Sequence, residues 1–101
     1  MTHYLVTAEP EKEVMEELKS RLDSGEIAKM RPFGSEMSQA LKRARVNEEG
    51  LATWEEICYC PTPLLQEREV LDRYFSNIET EVVESGVGWK AVESMPSMWD
   101  D

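Results

Sequence analysis

The sequence has little of the material from which most catalytic and metal sites are built. It holds one histidine and two cysteines in 101 residues. Zinc needs four ligands, which two thiols and His3 do not supply. The chain also lacks a P-loop, a glycine-rich dinucleotide fingerprint, an HExxH motif and an EF-hand loop. We therefore expect no metal ion and no cofactor, and the sequence leaves open whether the protein is an enzyme.

Long hydrophobic runs are absent as well. No stretch approaches the roughly 20 apolar residues that span a bilayer. The start, MTHYLVTAEP, lacks the basic and apolar regions of a signal peptide. Two cysteines close together do not form a disulfide framework. These absences predict a cytoplasmic protein that does not enter a membrane.

Basic residues are few, because 11 Lys and Arg stand against 21 Asp and Glu, for a net charge of −10. A field of this sign repels nucleic-acid backbones, so we expect no nucleic-acid partner. Solubility and adaptation to a salt-rich cytosol would both explain the acidity. The length and the hydrophobic content predict one globular domain.

The hydrophobic pattern alternates between strand and helix. Helical spacing joins Val14, Leu18 and Leu22, while β-branched and aromatic residues mark the strands. The predicted strands are residues 3–9, 26–33, 51–60 and 79–92, and the predicted helices are residues 10–25, 35–46 and 61–78. This order predicts an α+β, ferredoxin-like βαβ-(short α)-βαβ sandwich. Its four-stranded antiparallel sheet would have two long helices on one face, with the short helix inserted between strands 2 and 3.

The fold predicted in this way comprises residues 1–92, followed by a tail, residues 93–101, that is docked or partly disordered. Two helices would leave one face of the sheet uncovered. Either the tail folds back onto that face or a second copy packs there, and the frequency of twofold assemblies favours a homodimer. The apolar residues available for it are Trp54, Trp89, Met30, Met95, Met98 and Trp99.

The two cysteines lie two residues apart in a predicted strand. Cys58 and Cys60 would share one face at a spacing of about 6.6–6.8 Å, which suits a disulfide poorly. Cys60 precedes a predicted helix, and a helix N-terminus favours a thiolate, whereas Glu55 and Glu56 oppose it. We interpret both cysteines as small buried hydrophobic residues and keep them as weak catalytic candidates.

Basic residues concentrate around one predicted helix. Arg31, Ser35, Arg43 and Arg45 are the candidate anion or ligand site, because backbone N–H groups at a helix start and nearby guanidinium groups bind carboxylates and phosphates. The alternative is that these bases only complement the helix dipole and face solvent.

Carboxylates supply the remaining candidates. Glu55 and Glu56 point to opposite faces of one strand, and whichever faces inward should have a raised pKa and become an acid–base candidate. His3, the only histidine, is a weak catalytic candidate with Glu56 and the two cysteines. The leading hypothesis is a non-catalytic ligand-binding or regulatory homodimer with a small anionic ligand or a protein partner. The alternative is a cofactor-independent enzyme of the dimeric α+β barrel type.

Overall fold

The computed structural model describes residues 2–58 and 64–99. The strands are β1 (Thr2–Pro10), β2 (Arg45–Val46), β3 (Ala52–Cys58) and β4 (Phe75–Val83). The α-helices are α1 (Met15–Asp23), α2 (Gly34–Lys42), α3 (Arg68–Tyr74) and α4 (Val87–Val92), and a 3-10 turn at Lys12–Val14 precedes α1. Within these ranges no helix has the length and apolar character needed to cross a membrane.

The strands form one sheet in the order β2-β3-β1-β4, and every neighbouring pair is antiparallel. The prediction of an α+β chain with a four-stranded antiparallel sheet is therefore confirmed. β2 pairs with β3 only at Val46–Ala52 and Arg45–Thr53. In the described part of the chain, the outer edge of β3 from Trp54 onward has no neighbouring strand.

The main core lies on one face of this sheet. Alternation along the strands places Val6 opposite Trp54, and both are fully buried. The Trp54 ring packs against Phe75 at 5.1 Å between centroids. Helices α1, α2 and α3 contribute the fully buried Leu18, Leu22, Met37, Leu41 and Leu71 to the same cluster. Each such side chain stabilises the fold by about 1.5–3 kcal/mol on burial.

Helix α4 covers part of the opposite face. Gly88 lies directly against Glu55 of β3, and Val92 is buried although it lies outside the main core cluster. On this same face β4 carries the exposed Glu79 and Glu81. This face, which the sequence predicted to be covered by the tail or by a second copy, is thus partly covered by α4.

The end of the chain packs back onto the molecule. The backbone N–H of Met98 donates to the carbonyl of Ala44 at 2.8 Å, and the indole N–H of Trp99 donates to the carbonyl of Leu41 at 2.7 Å. These bonds hold residues 97–99 beside β2 and the end of α2.

The predicted strand at residues 26–33 is wrong. This segment is a series of turns in which Lys29 N–H donates to Gly25 at 3.2 Å and Met30 N–H donates to Ile27 at 3.0 Å. These local hydrogen bonds take the place of the hydrogen bonds to a neighbouring strand that a β-strand would make. Ile27 alone is fully buried here, and Gly34 is required because a Cβ there would overlap the Ile27 carbonyl oxygen.

The strand that takes its place is β2, so the short helix α2 precedes strand 2 instead of following it. The long helices are also shorter than predicted. β1 runs through Pro10, and the N–H of Glu11 donates to the Tyr74 carbonyl at 2.8 Å, which delays α1 to Met15. α3 ends at Tyr74, where pairing with β1 turns the chain into β4.

The predicted strand at residues 79–92 is only partly present. β4 accounts for its first residues, but Gly86 adopts a φ of 86°, and α4 follows it. Glycine tolerates this left-handed conformation without a Cβ clash. The apolar pattern of α4 is too short to be separated from a strand by periodicity alone.

Candidate functional site

A cavity of about 590 Å³ lies where the end of α2, β2, α4 and the chain end meet. Its charged lining is unusual for so acidic a chain, since four bases face one acid. We call it the basic groove and define it by Lys42, Arg43, Arg45, Trp89, Lys90 and Glu93. These bases are four of the 11 in the whole sequence.

Two of the four bases are held by uncharged partners. The guanidinium of Arg43 lies 4.0 Å from the centroid of the Trp89 ring, a cation–π contact. Arg45 donates from Nη1 to the carbonyl of Met95 at 2.6 Å. Both guanidinium groups are therefore positioned before any ligand arrives, and their charge is retained.

The bases of the basic groove form no salt bridge within the described part of the chain. Among residues 2–58 and 64–99, the salt bridges involve His3, Arg21, Arg68 and Arg73, and none involves a base of the basic groove. A cluster in which four bases face a single acid costs electrostatic free energy unless it meets an anion. The arrangement can therefore bind a small phosphate or carboxylate group.

The structure brings together only part of the predicted anion site. Arg43 and Arg45 both line the basic groove, whereas Arg31 and Ser35 are exposed beside the other end of α2. At 1.5 Å per residue, the two ends of this helix are roughly 12 Å apart. Arg31 and Ser35 do not line the basic groove.

Sequence reasoning missed the contribution of α4. Lys90 and Trp89 lie more than 40 positions from Arg43 along the chain, and their segment resembles a strand. Lys42 could have been found from the sequence, since it belongs to the same run of basic residues as Arg43. No local pattern could have paired that run with α4.

Glu55 ties α4 to the sheet. Its Oε1 accepts hydrogen bonds from the N–H groups of Gly88 at 2.8 Å and Trp89 at 3.2 Å, and its Oε2 accepts one from Gly86 at 3.0 Å. Burial alone would raise the pKa of Glu55, but these backbone donors and His3 outweigh it, so its pKa lies below the usual value. A Cβ on Gly88 would lie 3.0 Å from the Glu55 Cβ, so any larger residue there would require the Glu55 side chain to shift.

His3 shares this arrangement. Its Nδ1 lies 3.2 Å from Glu55 Oε2, where an N–H at Nδ1 donates to the carboxylate. The predicted catalytic candidate thus serves as a hydrogen-bond partner of the carboxylate that anchors α4.

Glu56 lies on the core face and is 2% exposed. The indole N–H of Trp54 donates to Glu56 Oε1 at 2.7 Å. Oε2 is the single buried side-chain oxygen or nitrogen in the described chain without a hydrogen-bond partner. Burial raises the pKa of Glu56 to about 8. The hydrogen bond from Trp54 lowers this pKa, whereas the nearby carboxylates of Glu67 and Glu36 raise it further. The expectation that an inward glutamate would have a raised pKa is confirmed for Glu56.

Cys58 belongs to the core and is 1% exposed. Its Sγ donates to Glu67 Oε1 at 3.8 Å. Cys60 lies outside the described residues. Within the described ranges, no group of three or more His, Cys, Asp and Glu side chains is placed to hold a metal ion.

Comparison with known protein families, curated proteins and solved structures found no match to this chain.

Proposed function

We propose that the protein is a non-catalytic module that binds a small anionic ligand in the basic groove and has a regulatory role. The observation that carries this proposal is the lining of that groove. Four bases converge on one cavity without a salt-bridge partner in the described chain, although acids outnumber bases 21 to 11.

The ligand class follows from the donors. Guanidinium groups bind planar or tetrahedral oxyanions with two parallel N–H bonds, and the lysines add point charges. The Trp89 face is already engaged by Arg43, so charge, more than stacking, selects the ligand. A phosphate or carboxylate on a small molecule fits this cavity, whereas the net charge of −10 opposes a nucleic-acid polymer.

Isothermal titration with inorganic phosphate tests the proposal. The double variant Lys42→Gln and Lys90→Gln removes two charges from the basic groove, and we expect affinity to fall at least about tenfold. The matched control, Lys12→Gln and Lys29→Gln, removes two exposed charges elsewhere and should change affinity less than about twofold. Equal losses in both variants, or no binding by the wild type, would reject the basic groove as the site.

A second candidate function is a cofactor-independent enzyme with Glu56 as a general acid or base. The observation in its favour is the buried, unpaired carboxyl oxygen. A catalytic carboxyl must reach its substrate within hydrogen-bond distance. Glu56 Oε2 is closed off from solvent, which favours the binding module over the enzyme.

We also infer that the fold is a variant of the ferredoxin-like arrangement. The sheet order and the antiparallel pairing of all neighbours support it. Three features depart from the usual form: strand 2 is reduced to Arg45–Val46, two helices precede it, and α4 lies on the second face. A crystal structure with the same placement of the helices would test it.

The homodimer and the cytoplasmic location stay predictions. One chain supplies all residues of the basic groove, so the proposed site does not depend on a second copy. Sedimentation equilibrium with and without phosphate would settle the oligomeric state: a mass near 23 kDa supports the dimer, and a mass near the 11.6 kDa of one chain rejects it.

A further inference from the structure

The two guanidinium groups of the basic groove lie toward different ends of it. Arg43 and its partner Trp89 also line a neighbouring cavity of about 300 Å³ between α2, β3 and α4. Arg45 is held by the carbonyl of Met95, and Met95 lines a different cavity, of about 540 Å³, beside β2 and the turn that follows it. These two cavities share no lining residue. We therefore place the basic groove between them, with one guanidinium group toward each end.

Both guanidinium groups retain free hydrogen-bond donors. Arg43 contacts Trp89 with its guanidinium carbon over the ring, and within residues 2–58 and 64–99 its side-chain N–H groups donate to no protein acceptor. Arg45 uses Nη1 for the Met95 carbonyl, which leaves the edge formed by Nε and Nη2. One guanidinium edge binds one oxyanion through two parallel N–H bonds. Two such edges in one groove therefore provide places for two oxyanions.

The charge of the basic groove exceeds what one phosphate can match. Four bases against one acid, Glu93, give the lining a net charge of +3. A single phosphate carries about −1.5 to −2 at pH 7, so part of the positive charge stays unmatched. Lys42 and Lys90 are exposed and form no salt bridge in the described part of the chain, so they can add point charges to further phosphate oxygens. The lining thus favours a ligand with two linked anionic groups.

We propose that the natural ligand of the basic groove carries a diphosphate group, with one phosphate bound by Arg43 and the other by Arg45. This inference rests on the proposed function, because it names the ligand class of the same groove. A dicarboxylate could also contact both guanidinium groups. Each of its groups carries only a single charge, however, so it matches the lining less completely than a diphosphate does.

The side-chain signals of the two arginines provide the test. In the ¹⁵N-labelled protein, the Nε–H signals of Arg43 and Arg45 report on each guanidinium group directly. On titration with inorganic phosphate at constant ionic strength, we expect each signal to move with its own dissociation constant, because the two places fill separately. With pyrophosphate, both signals should move together with one dissociation constant that is at least about a hundredfold lower, because the two phosphates are linked.

Conservative variants separate hydrogen-bond geometry from charge, since lysine keeps the charge but lacks the planar fork of arginine. Arg45→Lys should weaken pyrophosphate binding at least about tenfold, while phosphate binding at the Arg43 signal changes less than about twofold. Arg43→Lys should likewise weaken pyrophosphate binding and leave phosphate binding at the Arg45 signal intact. The matched control is Arg31→Lys, at an exposed side chain outside the basic groove, which should retain the wild-type behaviour.

Adenosine diphosphate distinguishes two sources of the diphosphate group. An affinity equal to or above that of pyrophosphate would support a diphosphate carried by a larger organic molecule. A markedly lower affinity, with pyrophosphate still bound at both arginines, would support free pyrophosphate as the ligand.

Several outcomes would overturn the inference while the proposed function stands. One is a shared dissociation constant for phosphate at both signals, which would mean that the two guanidinium groups hold a single anion. Others are pyrophosphate that binds no more tightly than phosphate, and equal losses of phosphate and pyrophosphate binding in Arg45→Lys. Succinate that binds as tightly as pyrophosphate would replace the diphosphate by a dicarboxylate. If none of these probes moves either signal, the proposed function fails as well.

Discussion

Glu55 and Glu56 are consecutive residues of β3, yet their pKa values are shifted in opposite directions. Glu55 faces α4 and accepts three backbone hydrogen bonds, which hold its pKa below the usual value. Glu56 faces the core, where burial raises its pKa to about 8. Strand alternation is the cause, because neighbouring side chains enter different environments.

Glu56 should make the protein less stable as pH rises from 5 to 8. In this interval an unfolded glutamate ionises while the buried one remains protonated, so the unfolded state binds fewer protons and the free energy of unfolding falls. The expected slope approaches about 1.4 kcal/mol per pH unit. Glu56→Gln should remove most of it, as measured by urea unfolding at pH 5, 6, 7 and 8.

Exposed Glu84→Gln provides the control, since it should preserve the wild-type slope. A wild-type stability that is flat over this interval would mean that Glu56 ionises normally in the folded protein.

Glu55→Gln should loosen α4. The amide replaces one acceptor oxygen by an NH₂ group that faces backbone donors, and we expect a loss of about 2–3 kcal/mol in the free energy of unfolding. The effect should shrink in acid: since the folded pKa of Glu55 is lowered, its stabilisation is present above pH 4.5 and is lost as pH falls through the folded pKa.

Amide hydrogen exchange at Gly88 and Trp89 provides the measurement, because their N–H groups bond to Glu55. The control is Glu81→Gln, an exposed glutamate on the same face of β4. Unchanged protection in Glu55→Gln would show that α4 is held by other contacts.

Tyr74→Phe should weaken the junction between α1 and α3. The buried hydroxyl of Tyr74 accepts from Arg21 at 2.7 Å and donates to Glu17 at 2.6 Å. Hydrogen bonds from Arg73 and then Tyr74 lower the pKa of Glu17 to about 2. Loss of the hydroxyl should cost about 1–2 kcal/mol and raise the pKa of Glu17, measured by NMR titration of its carboxyl carbon.

The comparison for Tyr74→Phe is Asp72→Asn, which breaks the exposed pair between Arg68 and Asp72 within α3. Such a pair contributes less than about 0.5 kcal/mol. If the two variants unfold at the same urea concentration, the hydroxyl network adds nothing beyond an ordinary surface pair.

Trp99→Ala should release the chain end. The indole N–H bonds to the Leu41 carbonyl, and the ring packs against the main core. We expect a loss of about 2 kcal/mol, with Trp99→Phe losing about half as much because the ring remains. Val82→Ala, at a side chain that is 68% exposed, should stay within about 0.5 kcal/mol. Chemical denaturation followed by circular dichroism distinguishes the three.

Sequence reasoning found the parts of the fold that depend on burial. Val14, Leu18 and Leu22 repeat at helical spacing and contact the core, and the LATWEEIC segment forms the strand β3. It failed at residues 26–33 because Ala28 and Met30 alternate with Lys29 and Arg31 as in a strand, although Ala28 is exposed and the segment is a series of turns.

Only part of the basic groove could be predicted from the sequence, because its residues come from two distant segments of the chain. Arg43 and Arg45 lie in one visible basic run, but Trp89 and Lys90 reach them through the packing of α4 on the second face of the sheet. That packing depends on Glu55 binding the backbone of Gly86 and Gly88. Contacts to backbone atoms leave no periodic signal in a sequence.

The central claim is that the basic groove binds small anions. Titration of the ¹⁵N-labelled protein with inorganic phosphate tests it residue by residue. If the basic groove is the site, the amide shifts should saturate and should be largest at residues 42–45 and 86–93. Shifts concentrated at Arg31 and Ser35, or spread evenly without saturation, would contradict it.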